Sequence, residues 1–212
     1  ANIVLNTITA QAFREVCDRL ESANSFEEEL NQIIVELCNK HKRILFDGNG
    51  YSKEWQDEAQ KRGLPNLKGM VDAIPCLVTD KSIGLFESFG VYSEAELRSR
   101  AEIQFETYAK QINIEALTMI DLAGKQIIPA VIDYSTQLAT SILQIEKTDM
   151  SASVQRTILN AVNEQLVVAH EAYARLKETM QEVGNYKEGK EQAEFYYHHV
   201  TSKMTALRQP ID

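Results

Sequence analysis

The chain is predicted to be all-α: an antiparallel bundle of three long helices, the first kinked near Pro129, with additional shorter helices on the N-terminal side. Three observations carry this prediction. Apolar residues recur at steps of three and four along most of the sequence, the period of a helix with one buried face. Serines stand directly ahead of several such runs, and at Ser25/Glu28 and Ser93/Glu96 the acid three residues on completes a capping-box pattern. Glycine and proline gather in a few short stretches, leaving long segments free of breakers.

The elements follow in order. A first helix is expected from about Asn6 to Ala23, with Ile8, Ala12, Val16 and Leu20 in one stripe beside Phe13 and Cys17, and with Arg14, Asp18 and Arg19 opposite. A second begins at Ser25 and turns Leu30, Ile33, Ile34, Leu37 and Cys38 inward, while His41 and Lys42 suit its C-terminal dipole. The run Asp47-Gly48-Asn49-Gly50-Tyr51 reads as a sharp turn in which both glycines are free to take positive φ. Ser52 caps a short helix that stops at Gly63, and a further short helix over about Asp80 to Phe89 stops at Gly90. Between them Pro65, Gly69 and Pro75 mark the least regular part of the chain.

After Ser93 no breaker appears before Gly124 and Pro129, so a very long helix is expected. Leu97, Ala101, Phe105, Tyr108, Ile112, Ala116, Met119, Ala123 and Ile127 form its packing seam. Pro129 lacks the amide needed at mid-helix and is expected to kink rather than stop it, because the apolar period resumes at Leu138, Ile142 and Ile145. From Ile112 to Ile132 apolar residues fall on nearly every face, which predicts that neighbouring helices surround this portion. A turn over Thr148 to Ser153 leads to a helix over about Ser153 to Val183, and Gly184-Asn185 separates it from a last helix over about Lys187 to Arg208. Ala193, Tyr196, Tyr197, Val200, Met204 and Leu207 form the packing face of that last helix.

Composition excludes several classes. With 44% hydrophobic and 25% charged residues over 212 positions, the chain can bury a core and is not of disordered composition. A net charge of -9 without a long basic run argues against a nucleic-acid partner. The longest apolar stretches, such as Ile127 to Ile132, are too short to cross a membrane. Cys17, Cys38 and Cys76 are odd in number and set among apolar neighbours, which predicts buried free thiols and a cytoplasmic protein.

No complete catalytic constellation emerges from the residues. Gly48-Asn49-Gly50 lacks the third glycine of a phosphate loop, which is Lys53, and Tyr51 and Ser52 stand where a calcium loop needs a ligand and a glycine. His198 and His199 are adjacent on a predicted helix, so their side chains diverge and do not chelate one ion. Glu115 and Asp121 lie in the most apolar part of the long helix and are the acids expected to be buried. Six residues apart, they do not share a face, and structural ion pairing is the expected role. Glu-x-x-His pairs, which a helical-bundle metal site requires, do not occur.

Particular strings add a family. Asn2-Ile3-Val4-Leu5-Asn6-Thr7-Ile8, Phe46-Asp47-Gly48-Asn49-Gly50-Tyr51-Ser52 with Glu54-Trp55, Lys61-Arg62-Gly63-Leu64 with Asn66-Leu67, and Ile112-Asn113-Ile114-Glu115-Ala116-Leu117-Thr118-Met119-Ile120-Asp121 resemble the C-terminal region of type III glutamine synthetases. The resemblance covers essentially the whole chain. It implies a parent enzyme that joins ammonia to glutamate using ATP, with magnesium or manganese held by glutamates and a histidine. It also implies a cytoplasmic oligomer of stacked hexameric rings, whose other subunits and catalytic portion would be this chain's partners.

In the family, the last metal-binding glutamate and a phosphate-binding arginine lie just ahead of the segment that Asn2 to Ile8 resembles. A Trp- and Pro-rich tail follows the equivalent of Pro210. On this resemblance the chain is expected to be a piece of the enzyme, with 1–23 as the terminal helix continuing from the catalytic domain and 24–212 as the helical C-terminal domain. No catalytic, cofactor-binding or metal residue carries over onto a position here, and no cofactor is expected in the fragment itself.

The leading expectation is therefore a non-catalytic structural and assembly element. The alternative is a helical module that binds or responds to a small effector through the kinked segment Ile112 to Tyr134, with Glu115, Asp121 and Tyr134 as polar contacts.

Overall fold

The structure, a computed structural model, describes residues 2–212, and every regular element among them is helical. The chain divides between Ala101 and Glu102 into two compact units.

The first unit contains α1 (Asn2–Glu21), α2 (Phe26–His41), α3 (Lys53–Lys61), α4 (Met70–Ala73), α5 (Asp80–Ser88) and the beginning of α6 (Glu94–Leu122). Helix α1 starts before the expected Asn6 because no breaker interrupts Ile3-Val4-Leu5 and Val4 has something to pack on: the cluster of Ile83, Phe86 and Leu97 with Val91 and Tyr92. Its expected stripe is only partly inward. Val16 and Leu20 are half-buried, whereas Ile8, Ala12, Phe13 and Cys17 face solvent, and the buried side chain is Thr7, whose hydroxyl donates to the Ile3 carbonyl at 2.8 Å.

Two arginines from the predicted polar face tie α1 to its neighbours. The Arg14 guanidinium lies 3.7 Å from the centre of the Phe89 ring, and Arg19 bridges Glu29 and Glu36 of α2 at 2.6 Å each. These Arg19 pairs hold the Glu36 carboxyl below its ordinary range, chiefly by the side-chain hydrogen bond and then by charge.

Helix α2 begins after Ser25 as the sequence suggests, but the serine side chain makes no cap bond there. Leu30 and Ile33 turn inward; Ile34, Leu37 and Cys38 stay exposed. All three cysteines are in fact exposed, contrary to the burial their apolar neighbours suggest. Around Cys17 and Cys38 such neighbours, among them Phe13, Ile34 and Leu37, are themselves uncovered, whereas Cys76 is exposed next to the buried Ile74.

The stops at Gly63 and Gly90 fall at positive φ, +69° and +62°, as helix-ending glycines do. Neither Gly48 nor Gly50 does so, which corrects the reason expected for that turn. A side-chain carbon on Gly48 would meet the Phe46 ring at 2.8 Å, so close packing is what favours glycine there. The turn itself is made by Asn49, whose side-chain oxygen accepts from the Tyr51 amide at 3.0 Å and whose carbonyl accepts from the Ser52 amide at 3.0 Å. Phe46 stacks on Trp55 with ring centres 4.4 Å apart, and Arg62 lies over the same indole while donating to the Leu45 carbonyl at 2.7 Å.

The second unit is built on α6, α7 (Ile128–Glu146), α8 (Ser153–Glu182), α9 (Lys190–Phe195) and α10 (Thr201–Arg208). The Ser93/Glu96 box at the head of α6 is formed, with the carboxylate accepting from the Ser93 amide at 2.8 Å. The seam holds: Phe105, Ala116 and Ala123 are buried, with Tyr108, Ile112, Met119 and Ile127 half-buried, and Ala109 beside them is buried as well. The helix does not stop at Pro129, which falls in the first turn of α7; ahead of it Ala123–Ile127 forms a π turn.

The short link after Glu146, with Asp149 at positive φ, folds α8 back against α7. Helix α10 also packs on α8. The expected last helix is α9 and α10 joined by a second π turn, Tyr196–Val200, and its predicted face is buried at Ala193, Tyr196, Val200 and Leu207. The alanines at the seam let helices approach closely, so this core is made of small side chains punctuated by Phe105, Leu176, Phe195 and Tyr196.

Candidate functional site

Glu115 and Asp121 are not buried. Both are exposed, Glu115 accepting from Gln111 at 2.9 Å and Asp121 paired with Lys125 one turn on. The hydrogen bond from Lys125 to Asp121, reinforced by its charge, raises the lysine above its ordinary value. Structural ion pairing is thus the local arrangement for Asp121, on the surface rather than in the core.

The reason lies in the segment around them. Ala116 and Ala123 reach the core, but Ile114, Leu117, Leu122 and Ile132 are exposed, so the run from Ile112 to Ile132 is covered on one side and open on the other. Apolar residues on every face meant two apolar faces, of which this chain covers one.

Tyr134 is also exposed, and none of the three polar residues of the effector reading lines the cavity of the second unit. That cavity has a volume of about 330 Å³. Ile127, Ile128 and Val131 form one wall, Val162, Gln165, Leu166 and Ala169 of α8 another, and Pro210 with Ile211 closes the end. Its lining is apolar except for the Gln165 side chain, so it offers van der Waals surface and little to orient a charged ligand. Sequence reading missed it because a gap between helices depends on how α7, α8 and the last residues meet; the small Ala161 and Ala169 were the available signal.

His198 and His199 are exposed within the second π turn and take different ring partners, Tyr197 and Phe195 respectively. A divalent cation needs several oxygen or nitrogen donors converging on one point. Among the described residues no three His, Cys, Asp or Glu side chains are so grouped. Among the described residues no helix is long and apolar enough to cross a membrane.

The most distinctive feature is the outer face of α6. Ile103, Ile114 and Leu117 are each more than half exposed on it, 58%, 64% and 51%, with Thr107, Lys110 and Asp121 interspersed. The class so defined is an all-α domain with apolar side chains on open faces as well as in its cores.

Comparison with known proteins agrees in kind. Residues 29–146 match the glutamine synthetase C-terminal domain. A glutamine synthetase of Butyrivibrio fibrisolvens is 34% identical over 194 residues, 90% of this chain and 28% of the relative. A type-3 glutamine synthetase of Dictyostelium discoideum is 31% identical over 219 residues, 99% of this chain and 30% of the relative. A glutamine synthetase of Bacteroides fragilis is 27% identical over 224 residues, again 30% of its length. The chain belongs to the glutamine synthetase C-terminal domain family, as its sequence strings suggested, and it spans under a third of the length of these relatives.

Proposed function

We propose that this chain is a structural and assembly element of a glutamine synthetase of the type III class, without a catalytic site of its own. The parent would ligate ammonia to glutamate with ATP and magnesium or manganese in the cytoplasm. Residues 1–23 would continue from the catalytic domain, and 24–212 would form the helical domain that meets neighbouring subunits in stacked hexameric rings. The observation that carries this reading is the family match together with the open apolar faces, above all Ile103, Ile114 and Leu117 on α6. Surfaces of that kind are stabilised by a partner.

The test has two arms. The chain mixed with ATP, magnesium, glutamate and ammonia should make no glutamine, and sustained turnover would overturn the inactive reading. Added to the Butyrivibrio fibrisolvens enzyme from which the matching region has been deleted, it should restore the large assembly on a sedimentation profile; failure to co-sediment would count against an assembly role.

The cavity between α7 and α8 favours a second reading, a site for a small effector. Its apolar lining suits an uncharged ligand better than glutamine, glutamate or a nucleotide. Calorimetry with small uncharged apolar ligands beside those three tests it: saturable heat for an uncharged ligand would favour the effector site, and none for any ligand would count against it.

A further inference from the structure

Along the open face of α6, Ile103, Thr107, Lys110, Ile114, Leu117 and Asp121 follow one another at steps of four, three, four, three and four. That is the spacing with which a helix meets another helix lengthwise. All six are exposed, so none of the described residues covers the face. Its charges have an order. Glu106 pairs with Lys110 near one end, and Asp121 pairs with Lys125 near the other.

Reading the sequence outward in both directions from the midpoint between Ile114 and Leu117, the two ion pairs that flank the apolar centre mirror each other with opposite sign. Lys110 and Asp121 are equidistant from that midpoint, as are Glu106 and Lys125. A two-fold axis through this point, with two copies of α6 antiparallel, brings Ile114 of each copy against Leu117 of the other. It also sets Lys110 opposite Asp121 and Glu106 opposite Lys125, twice each. A parallel pairing would instead set Lys110 against Lys110 and Asp121 against Asp121, which like-charge repulsion disfavours.

We propose that the occupant of this face is α6 of a second copy of this chain, antiparallel about a two-fold axis between Ile114 and Leu117. The contact is isologous, so it closes on itself as a dimer contact without generating a filament. The apolar pair at the axis supplies attraction, and the flanking charges fix direction and register. This goes beyond the assembly reading above and does not depend on the chain's belonging to an active synthetase.

Sedimentation equilibrium of the 212-residue chain over a concentration series tests it, with circular dichroism checking that each variant keeps its helix content. The unmodified chain should show a monomer–dimer equilibrium. Lys110→Glu places a carboxylate opposite Asp121, and Asp121→Lys places an ammonium opposite Lys110; each alone should weaken the dimer about tenfold or more. An equimolar mixture of the two variants should recover it. The carboxylate introduced at position 110 of one chain then meets the ammonium introduced at position 121 of the other, while the native Asp121 and Lys110 meet on the opposite side of the axis. The double variant should dimerise with itself but not with the unmodified chain.

A chain monomeric at every soluble concentration would overturn the proposal. So would single variants that dimerise like the unmodified chain, which would place the contact elsewhere. Dimerisation of the double variant with the unmodified chain in preference to itself would mean a parallel contact and would overturn it equally. Ile114→Gln, exposed and outside the core, should abolish the dimer whatever the charges do.

Discussion

The ring of Tyr173, on α8, lies over Gly124 in the π turn, so close that a β-carbon on the glycine would meet the tyrosine hydroxyl at 2.8 Å and two ring carbons at 3.0 Å. Glycine is otherwise a poor helical residue, about 1 kcal/mol worse than alanine. Its presence mid-run is explained by the ring that occupies the space. Gly124→Ala should therefore destabilise the second unit by about 1 kcal/mol, overpacking at about 1 to 3 kcal/mol outweighing the propensity gain. In a Tyr173→Ala background the same substitution should become neutral or stabilising. Urea denaturation of the double-mutant cycle reads the coupling, and equal effects in both backgrounds would mean that the ring is not the cause.

Two capping-box sequences give opposite outcomes. At Ser93 the Glu96 carboxylate accepts from both the serine amide and hydroxyl, while the Ser25 side chain makes no cap bond. Ser93→Ala should cost about 1 kcal/mol and Ser25→Ala only about a few tenths. The hydrogen bonds from Ser93 hold the Glu96 carboxyl below its ordinary value. A depressed carboxyl contributes stability that is present above the unfolded pKa and lost as pH falls through the folded one. The difference between the Ser93→Ala chain and the unmodified chain should accordingly shrink on acidification below about pH 4, the ordinary glutamate range.

These contrasts mark how far the sequence could be read. The long helices were legible because their apolar period is long and their ends are punctuated: Gly63, Gly90 and the turn after Glu146 fall where expected. Burial within them was less legible. Periodicity identifies an apolar face but not what covers it, so Cys17, Ile34 and Ile114 looked like core and are exposed. Glu115 and Asp121 were misplaced for the same reason, since their apolar neighbours line an open face. The π turns were beyond reach: Tyr196–Val200 shows no breaker at all, and the apolar period runs through it unbroken. The open face itself was in view as excess apolar residues between Ile112 and Ile132, read as extra core.

Trp55 is the chain's single tryptophan, which makes its surroundings measurable. Arg62 lies above the indole and reaches the Leu45 carbonyl at 2.7 Å and the Arg43 carbonyl at 3.3 Å, while also meeting Glu58 at 2.8 Å. A lysine carries a point charge without the planar fork and cannot hold these groups together. Arg62→Lys should red-shift the tryptophan emission as water reaches the ring, and should cost the first unit about 1 kcal/mol through the carbonyl bonds. An unchanged spectrum would show that the guanidinium does not shield the indole.

Tyr196 closes the second unit from its far end. It is 2% exposed, and its hydroxyl donates to the Asn113 side-chain oxygen at 2.9 Å, joining residues 83 apart in sequence. Removing the hydroxyl leaves that oxygen without its donor in a partly buried place, so Tyr196→Phe should destabilise by about 1 to 2 kcal/mol. Burial also raises the phenol above its ordinary value, because the charged form is poorly solvated there. The sign then follows: a group whose folded pKa is raised contributes stability that is complete below the unfolded pKa and lost as pH climbs through the folded one. The unmodified chain should lose stability as pH rises above about 10, the ordinary tyrosine range, and part of that loss should vanish in Tyr196→Phe. Chemical denaturation at a series of alkaline pH values measures both slopes, and identical slopes would mean that another of the chain's tyrosines governs the alkaline limb.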